Sequence, residues 1–329
     1  ARDTRGAEPK TDARIDVYTD DLITVVSPSA RAELSPVENV SVDLRYAIDV
    51  LSGATTVLAA DVDTGGQAPD VISSATQFTD RRHLVHASGK WAPEPTWSAG
   101  VGYTLSTEFD SDSHAFTIDG NLEVLDRLAT ISASYGLGYD IVGKATDEHY
   151  AMPALKHSLD LRWLHILSPS TALTVLFGGQ VNDCSDALGC AGNPYRFVPL
   201  VADDGTGPRI AAAVPERPPD FQIRTAGALR VSHDIGLGFA VHGGYRFYRD
   251  NWSVVGHTGD LELAKSLAEE AVLLRLDARA SMQSEASFYR DRYETYAIAS
   301  MVPEHRTGDR ELSGLWNVQG GARAEWSIA

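Results

Sequence analysis

The sequence predicts an all-β protein: a transmembrane, antiparallel, up-and-down β-barrel of about fourteen strands, with short periplasmic turns and long extracellular loops. Three observations carry this expectation: a two-residue alternation that recurs along the chain, segments too long for an ordinary soluble sheet, and connections that sort by length.

The alternation is plainest in NVSVDLRYAIDVLSG, where Val40, Val42, Leu44, Tyr46, Ile48 and Val50 alternate with Ser41, Asp43, Arg45, Ala47 and Asp49. Successive side chains of a strand point to opposite faces, so a period of two gives one apolar and one polar face. The pattern returns as Trp97, Ala99, Val101, Tyr103 and Leu105, as Ala129 through Tyr139 in ATISASYGLGY, and as Phe116, Ile118, Leu122 and Val124. It predicts strands at 12–19, 21–34, 38–52, 77–91, 96–109, 112–125, 128–142, 154–167, 170–183, 219–233, 236–249, 252–266, 270–289 and 311–328. Most run about 12 to 16 residues, whereas soluble strands cluster near 5–6 and a membrane strand needs about 9–11 for the hydrocarbon layer alone.

Alternate connections are uniformly short: SPVE, APEP, LDR, SPS, DIG and LAE. The others hold every long loop, at 53–76, 143–153, 184–218 and 290–310. An even strand count puts both ends of the barrel on the short-turn, periplasmic side. One barrel domain over 1–329 is expected, with a polar N-terminal arm at 1–11 that looks like a mature N-terminus exposed by cleavage.

Composition agrees. Among 329 residues 43% are hydrophobic, and no apolar run reaches the roughly 18 residues of a membrane helix. A formal charge of −17 without a Lys/Arg-rich run excludes a nucleic-acid partner. The expected partners are outer-membrane lipid and, in one alternative, a periplasmic or outer-membrane protein. No cofactor is expected.

Cys184 and Cys190 lie close together in the Gly-, Pro- and Asp-rich stretch 184–218, which predicts a small disulfide ring in an oxidising compartment. No further Cys or His follows at metal-ligand spacing. DVDTGG (61–66) begins like a calcium loop but lacks the third oxygen ligand and distal Glu, so it reads as a turn and no metal site is expected.

With the apolar face toward lipid, the aromatics should form two girdles: Trp91, Trp97, Trp163 and Trp326 near the short turns, and Phe109, Tyr139, Phe247 and Trp252 near the opposite ends. The alternate positions then line the lumen. They carry Asp43, Arg45, Asp49, Arg82, His86, Asp119, Glu123, Asp160, Arg162, Arg224, Arg230, His242, Arg246, Asp260, Glu262, Arg275, Asp277, Arg279, Arg323 and Glu325. Interspersed signs read either as a pairing network that stiffens the barrel or as a charge filter along a water-filled path. No G-x-S-x-G, H-E-x-x-H or P-loop occurs, so no catalytic residue is expected, and an outer-membrane hydrolase is the weakest alternative. The leading expectation is a channel or transporter-like barrel for a small polar solute; the alternative is a closed scaffold acting through a protein partner.

Several phrases, DVLSGAT (49–55), ISSAT (72–76), EFDSDSHAF (108–116), GGYRFYRDNWSVVGHT (243–258), SFYRDRYETY (287–296) and RTGDRELS (306–313), resemble an uncharacterised family of bacterial outer-membrane β-barrels, a domain of unknown function. The resemblance covers most of the chain and implies the bacterial outer membrane; it implies no activity. Where such barrels often end on an aromatic, this chain ends EWSIA, with Trp326 the nearest candidate for that anchor.

Overall fold

The computed structural model describes residues 9–19, 23–54, 72–73, 77–144, 147–184, 196–203, 208–267, 271–294 and 302–326. The strands run β1 (Lys10–Thr19), β2 (Ile23–Val37), β3 (Val40–Ala54), β4 (Ile72–Ser73), β5 (Gln77–Glu94) and β6 (Trp97–Thr107). Then follow β7 (Ser111–Val124), β8 (Ala129–Lys144), β9 (Asp147–Ser168), β10 (Thr171–Asp183), β11 (Arg196–Asp203) and β12 (Pro208–Pro215). The last are β13 (Phe221–Gly236), β14 (Phe239–Asp250), β15 (Val255–Leu267), β16 (Val272–Gln283), β17 (Tyr293–Glu294) and β18 (Leu315–Trp326).

Fourteen of these form one antiparallel meander in the order β1-β2-β3-β5-β6-β7-β8-β9-β10-β13-β14-β15-β16-β18. Each corresponds to a segment that alternation marks in the sequence. The periodicity decides this because a one-residue slip would turn every apolar side chain to the wrong face. Short turns join the strands at one rim: Asn39 (φ 71°), the run Leu125, Asp126 and Arg127 (φ 53°, 53° and 69°), and Leu237 with Gly238 (φ 55° and 76°) all enter the left-handed region. Gly238 suits its turn for a second reason, since a β-carbon there would stand 2.9 Å from the Ser266 carbonyl oxygen.

Two connections differ from expectation. The loop expected at 143–153 is mostly sheet, because β8 and β9 stay paired as far as Lys144 and Asp147. The loop expected at 184–218 contains β11 and β12, which with β17 form a second small sheet; β4 also pairs with β11. Val198, Leu200 and Tyr293 make its core. A neighbouring cluster joins Trp252, Val254, Ala286, Phe288 and Tyr289. Long connections at the far rim therefore fold into a cap with its own buried apolar groups. Strand β16 accordingly ends at Gln283 rather than at 289, and the chain leaves the wall to enter that cap.

The wall's apolar face is its exposed face. Val101 is 60% exposed, Ile118 61% and Leu261 56%, values that belong to a surface in contact with lipid rather than with a protein core.

Candidate functional site in the lumenal wall

The outer face first fixes the membrane band. Trp91, Trp97, Trp163 and Trp326 lie at the short-turn side, and Trp91 and Trp97 meet edge to face with centroids 5.0 Å apart. Trp252, expected in the opposite girdle, is buried instead. Its indole N–H donates to the Phe221 carbonyl at 3.1 Å and its ring meets Phe288 edge to face, so burial in the cap core outweighs a place among headgroups.

The opposite girdle is made of Tyr–His pairs. Tyr46, Tyr103, Tyr135 and Tyr245 each place Oη within 2.6–2.9 Å of the Nδ1 of His83, His114, His157 and His257, respectively. Each Tyr stands six residues beyond the first residue of its strand, and each His pairs in register with the residue two further on. Eight residues at about 3.3 Å, tilted about 40°, separate the two girdles by roughly 20 Å, close to the apolar band of about 25 Å in outer-membrane barrels. A His on a lipid-facing wall is tolerable at this depth because its ring nitrogen has a hydroxyl partner. Only the strand register brings these partners together, so the sequence does not reveal them.

On the polar face, the charges divide into three arrangements. Some pair. Asp49 accepts from Arg82 at 2.5 and 2.9 Å, and Arg82 also lies 3.9 Å from Glu108. Asp43 holds Arg31, which lies directly across from Arg45 and turns away from that like charge. Lys156 meets Asp140, Glu123 meets Arg127 at 2.8 Å, and Glu325 lies 3.9 and 3.8 Å from Arg275 and Arg323. His86 bonds Thr104 at 2.8 Å; His242 bonds Ser232 at 2.8 Å and stands 3.8 Å from Glu262. The contributions of Arg31, Glu108 and Asp140 go beyond the expected set, since the register between neighbouring strands is what brings them to their partners.

A second group lies flat against the wall. Asp119, Asp160, Asp260 and Asp277 each stand directly across from a glycine: Gly100, Gly178, Gly244 and Gly321. Each carboxylate comes within 2.5–3.0 Å of where that glycine's β-carbon would be. The glycine makes room for the acid to fold sideways, which keeps the lumen open beside it.

The third group faces space. Arg162, Arg224 and Arg246, with Asp119, Asp160, Ser132, Ser134, Ser158 and Gln180, line a cavity of about 820 Å³ over β7–β10, β13 and β14. Arg224 donates to Gln222 at 2.8 Å and Arg246 lies 5.8 Å from the Tyr248 ring centre. Among the described residues, none of the three forms an ion pair with a carboxylate. Arg230 sits on the same wall between Thr174 and Gly244. Toward the cap, Arg224, Arg246 and Arg279 share a 360 Å³ cavity with Glu311 and Leu312, so the cap borders the mouth of this space.

The cap is tied by buried polar groups. Arg196 bridges Asp309 at 2.8 Å and Glu216 at 3.5 Å, and Thr307 Oγ1 donates to Glu216. Burial raises the Glu216 carboxyl pKa above its ordinary 4.5, against the pull of Thr307 and Arg196. A carboxyl that holds its proton more tightly in the closed cap than in the open chain contributes its stability below the ordinary value and loses it as pH rises through the raised one. Hydrogen exchange in β11 and β17, corrected for intrinsic rates, is therefore expected to be faster at neutral than at mildly acid pH. Glu216→Gln should remove that difference.

A curled antiparallel meander with a lipid-facing apolar surface, two interfacial girdles and a charged inner face defines a bacterial outer-membrane β-barrel. The chain belongs to the family described as protein of unknown function (DUF3570), whose model matches residues 2–163 and 180–329. No curated protein matches the sequence. Among solved structures, a ferric enterobactin receptor mutant from Pseudomonas aeruginosa in complex with enterobactin is similar, at 10% identity, a TM-score of 0.52, and coverage of 99% of this chain and 52% of that one. The siderophore receptor PirA from Acinetobacter baumannii follows at 8% identity and a TM-score of 0.52, covering 97% and 50%. An anion-selective porin from Comamonas acidovorans matches at 9% identity and a TM-score of 0.44, covering 97% and 100%. The chain spans about half the length of the two receptors.

Proposed function

We propose that the barrel gives passage to a small polar solute carrying an anionic group, gated at its external mouth by the folded cap. The observation that carries this reading is the 820 Å³ cavity in which Arg162, Arg224 and Arg246 stand beside small hydroxyl side chains while the neighbouring acids fold over glycines. Guanidinium groups presented to a watery space attract anions and set their order of passage, and flattened carboxylates leave width for them. In planar bilayers the barrel is expected to conduct and to prefer anions. Arg162→Gln combined with Arg246→Gln should shift the reversal potential toward cations in a salt gradient. Absence of conductance, with the cap intact or deleted, would sink the reading and leave the closed scaffold with a protein partner.

The same reading takes Cys184 and Cys190 as a ring that pins the cap to the end of β10. Cys184 is 3% exposed, and Cys190 lies outside the described residues, as do 61–66. The unreduced protein should give a digest peptide two mass units lighter than its reduced form.

A further inference from the structure

Strand register shapes one part of the lumenal wall into a basin. Across β9, β10, β13 and β14 the inward side chains fall into three rows: Ser158–Gln180–Arg224, Asp160–Gly178–Ala226–Tyr248 and Arg162–Leu176–Ala228–Arg246. Gly178, Ala226 and Ala228 make a floor with almost no side-chain height. Asp160 and Arg162 on β9, Arg224 on β13 and Arg246 on β14 stand around it, with Gln180 toward the cap. Neighbouring strands lie about 4.8 Å apart and alternate residues of one strand about 7 Å apart, so the frame measures roughly 14 Å by 13 Å. Its cavity of about 820 Å³ falls within the range of about 300–1,000 Å³ typical of small-molecule sites.

The polar groups of this frame are of two kinds, and they do not neutralise each other. Asp160 places Oδ1 3.0 Å from where the Gly178 β-carbon would stand, so a carboxylate oxygen rests on the floor. Among the described residues, Asp119 and Asp160 make no ion pair and accept no side-chain hydrogen bond, and Arg162 has no side-chain partner. An acid beside a path for simple anions only repels them. It serves a solute that also brings hydroxyl donors, because an ionised carboxylate is an acceptor and nothing else. Ser134, directly across from Asp160, and Ser158, two residues from it, offer hydroxyls on the same flank. The guanidinium groups match a carboxylate in bidentate fashion.

Charge selects among acids of this shape. Three arginines against Asp119 and Asp160 leave one positive charge over, the complement of a monoanion. A phosphate ester brings about 1.5 to 2 negative charges near neutral pH and would overfill that balance. Acetate has the right charge but would leave Asp160 and the serines facing water.

We infer that the basin binds a sugar acid of the hexuronate type, its carboxylate held by the arginines of the frame and its ring lying over Gly178 and Ala226 with hydroxyls donating to Asp160. The site is the cavity assigned above to an anion path and rests on that reading. It adds recognition of the solute's hydroxyls to recognition of its charge.

The test is calorimetric titration of the full chain, folded in detergent, with glucuronate, acetate, glucose and glucose 6-phosphate at constant ionic strength. Glucuronate is expected to bind at least about tenfold tighter than acetate or glucose, the worth of one charge-assisted hydrogen bond, and tighter than glucose 6-phosphate. Asp160→Asn, which removes the acceptor charge, and Ala226→Leu, which fills the floor, should each weaken glucuronate by about three- to tenfold and acetate by less than about twofold. Glucuronate and acetate binding within about twofold of each other would overturn the inference, as would tighter binding of glucose 6-phosphate or glucose. These comparisons use the native protein, so they stand even where a variant does not fold. Reversal potentials in chloride gradients across planar bilayers test the path separately. Anion preference without glucuronate selectivity would keep the path and overturn the sugar-acid site; glucuronate selectivity in a barrel that does not conduct would support the site and overturn the path.

Discussion

Truncating Tyr293 to alanine is expected to unfasten the cap without unfolding the barrel. Its ring is 2% exposed within the Val198–Leu200 cluster. Its hydroxyl lies 3.0 Å from the Phe288 carbonyl and 3.1 Å from that of Thr307, and accepts the Thr307 N–H at 3.0 Å. Removing a buried aromatic costs about 3–5 kcal/mol, and the stranded Thr307 N–H adds to that. The loss stays local because the cap has its own clusters, so opening there can occur below the global barrier. Hydrogen exchange should rise in β11, β12 and β17 and stay unchanged in β6–β8. Where the cap gates the lumen, single-channel recordings of Tyr293→Ala should show longer open times; Tyr293→Phe, which keeps the ring, should fall between it and the native protein.

Placing an arginine at Val101 is expected to give the largest effect on the wall itself. Val101 is 60% exposed and lies on β6 between Trp97 and Tyr103 on the outer face, near the middle of the apolar band. A charged side chain at the bilayer midplane of such barrels costs about 2–4 kcal/mol. Urea unfolding from lipid vesicles should show that loss for Val101→Arg and much less for Ser106→Arg, which points into the lumen. A loss below about 1 kcal/mol for Val101→Arg would place this face in water instead of lipid.

These expectations rest on different levels of the molecule. The β6 result follows from alternation, and alternation is a local property: the period of two needs only neighbouring residues to declare which side chains share a face. That is why fourteen segments, their order and the sorting of turns from long connections were legible in the linear chain. The cap was not. Tyr293 sits in a long connection and Trp252 in the four-residue connection between β14 and β15, and their burial depends on Val198 and Phe288, partners brought close by non-adjacent segments. Trp252 shows the cost of reading position alone, since a tryptophan near a strand end suits a headgroup layer or a cap core equally well until its neighbours are known.

The lumenal charges lie between these cases. Their face follows from parity, so residues such as Asp49, Arg162 and Arg246 could be assigned to the polar side from sequence. Their partners could not. Arg82 finding Asp49, Asp119 folding over Gly100 and Tyr245 meeting His257 all depend on how one strand is registered against the next. Register is set by turn geometry and by bulges such as the one between Leu34 and Val37, features that sum along the meander. The sequence by itself determined a lipid-facing barrel wall, its strand count and the identity of its inner charges, because these need only periodicity and length. Only the tertiary structure decided which charges neutralise each other, which arginines are left facing the cavity and how the long connections close over it, because those outcomes are set by contacts between residues far apart in the chain.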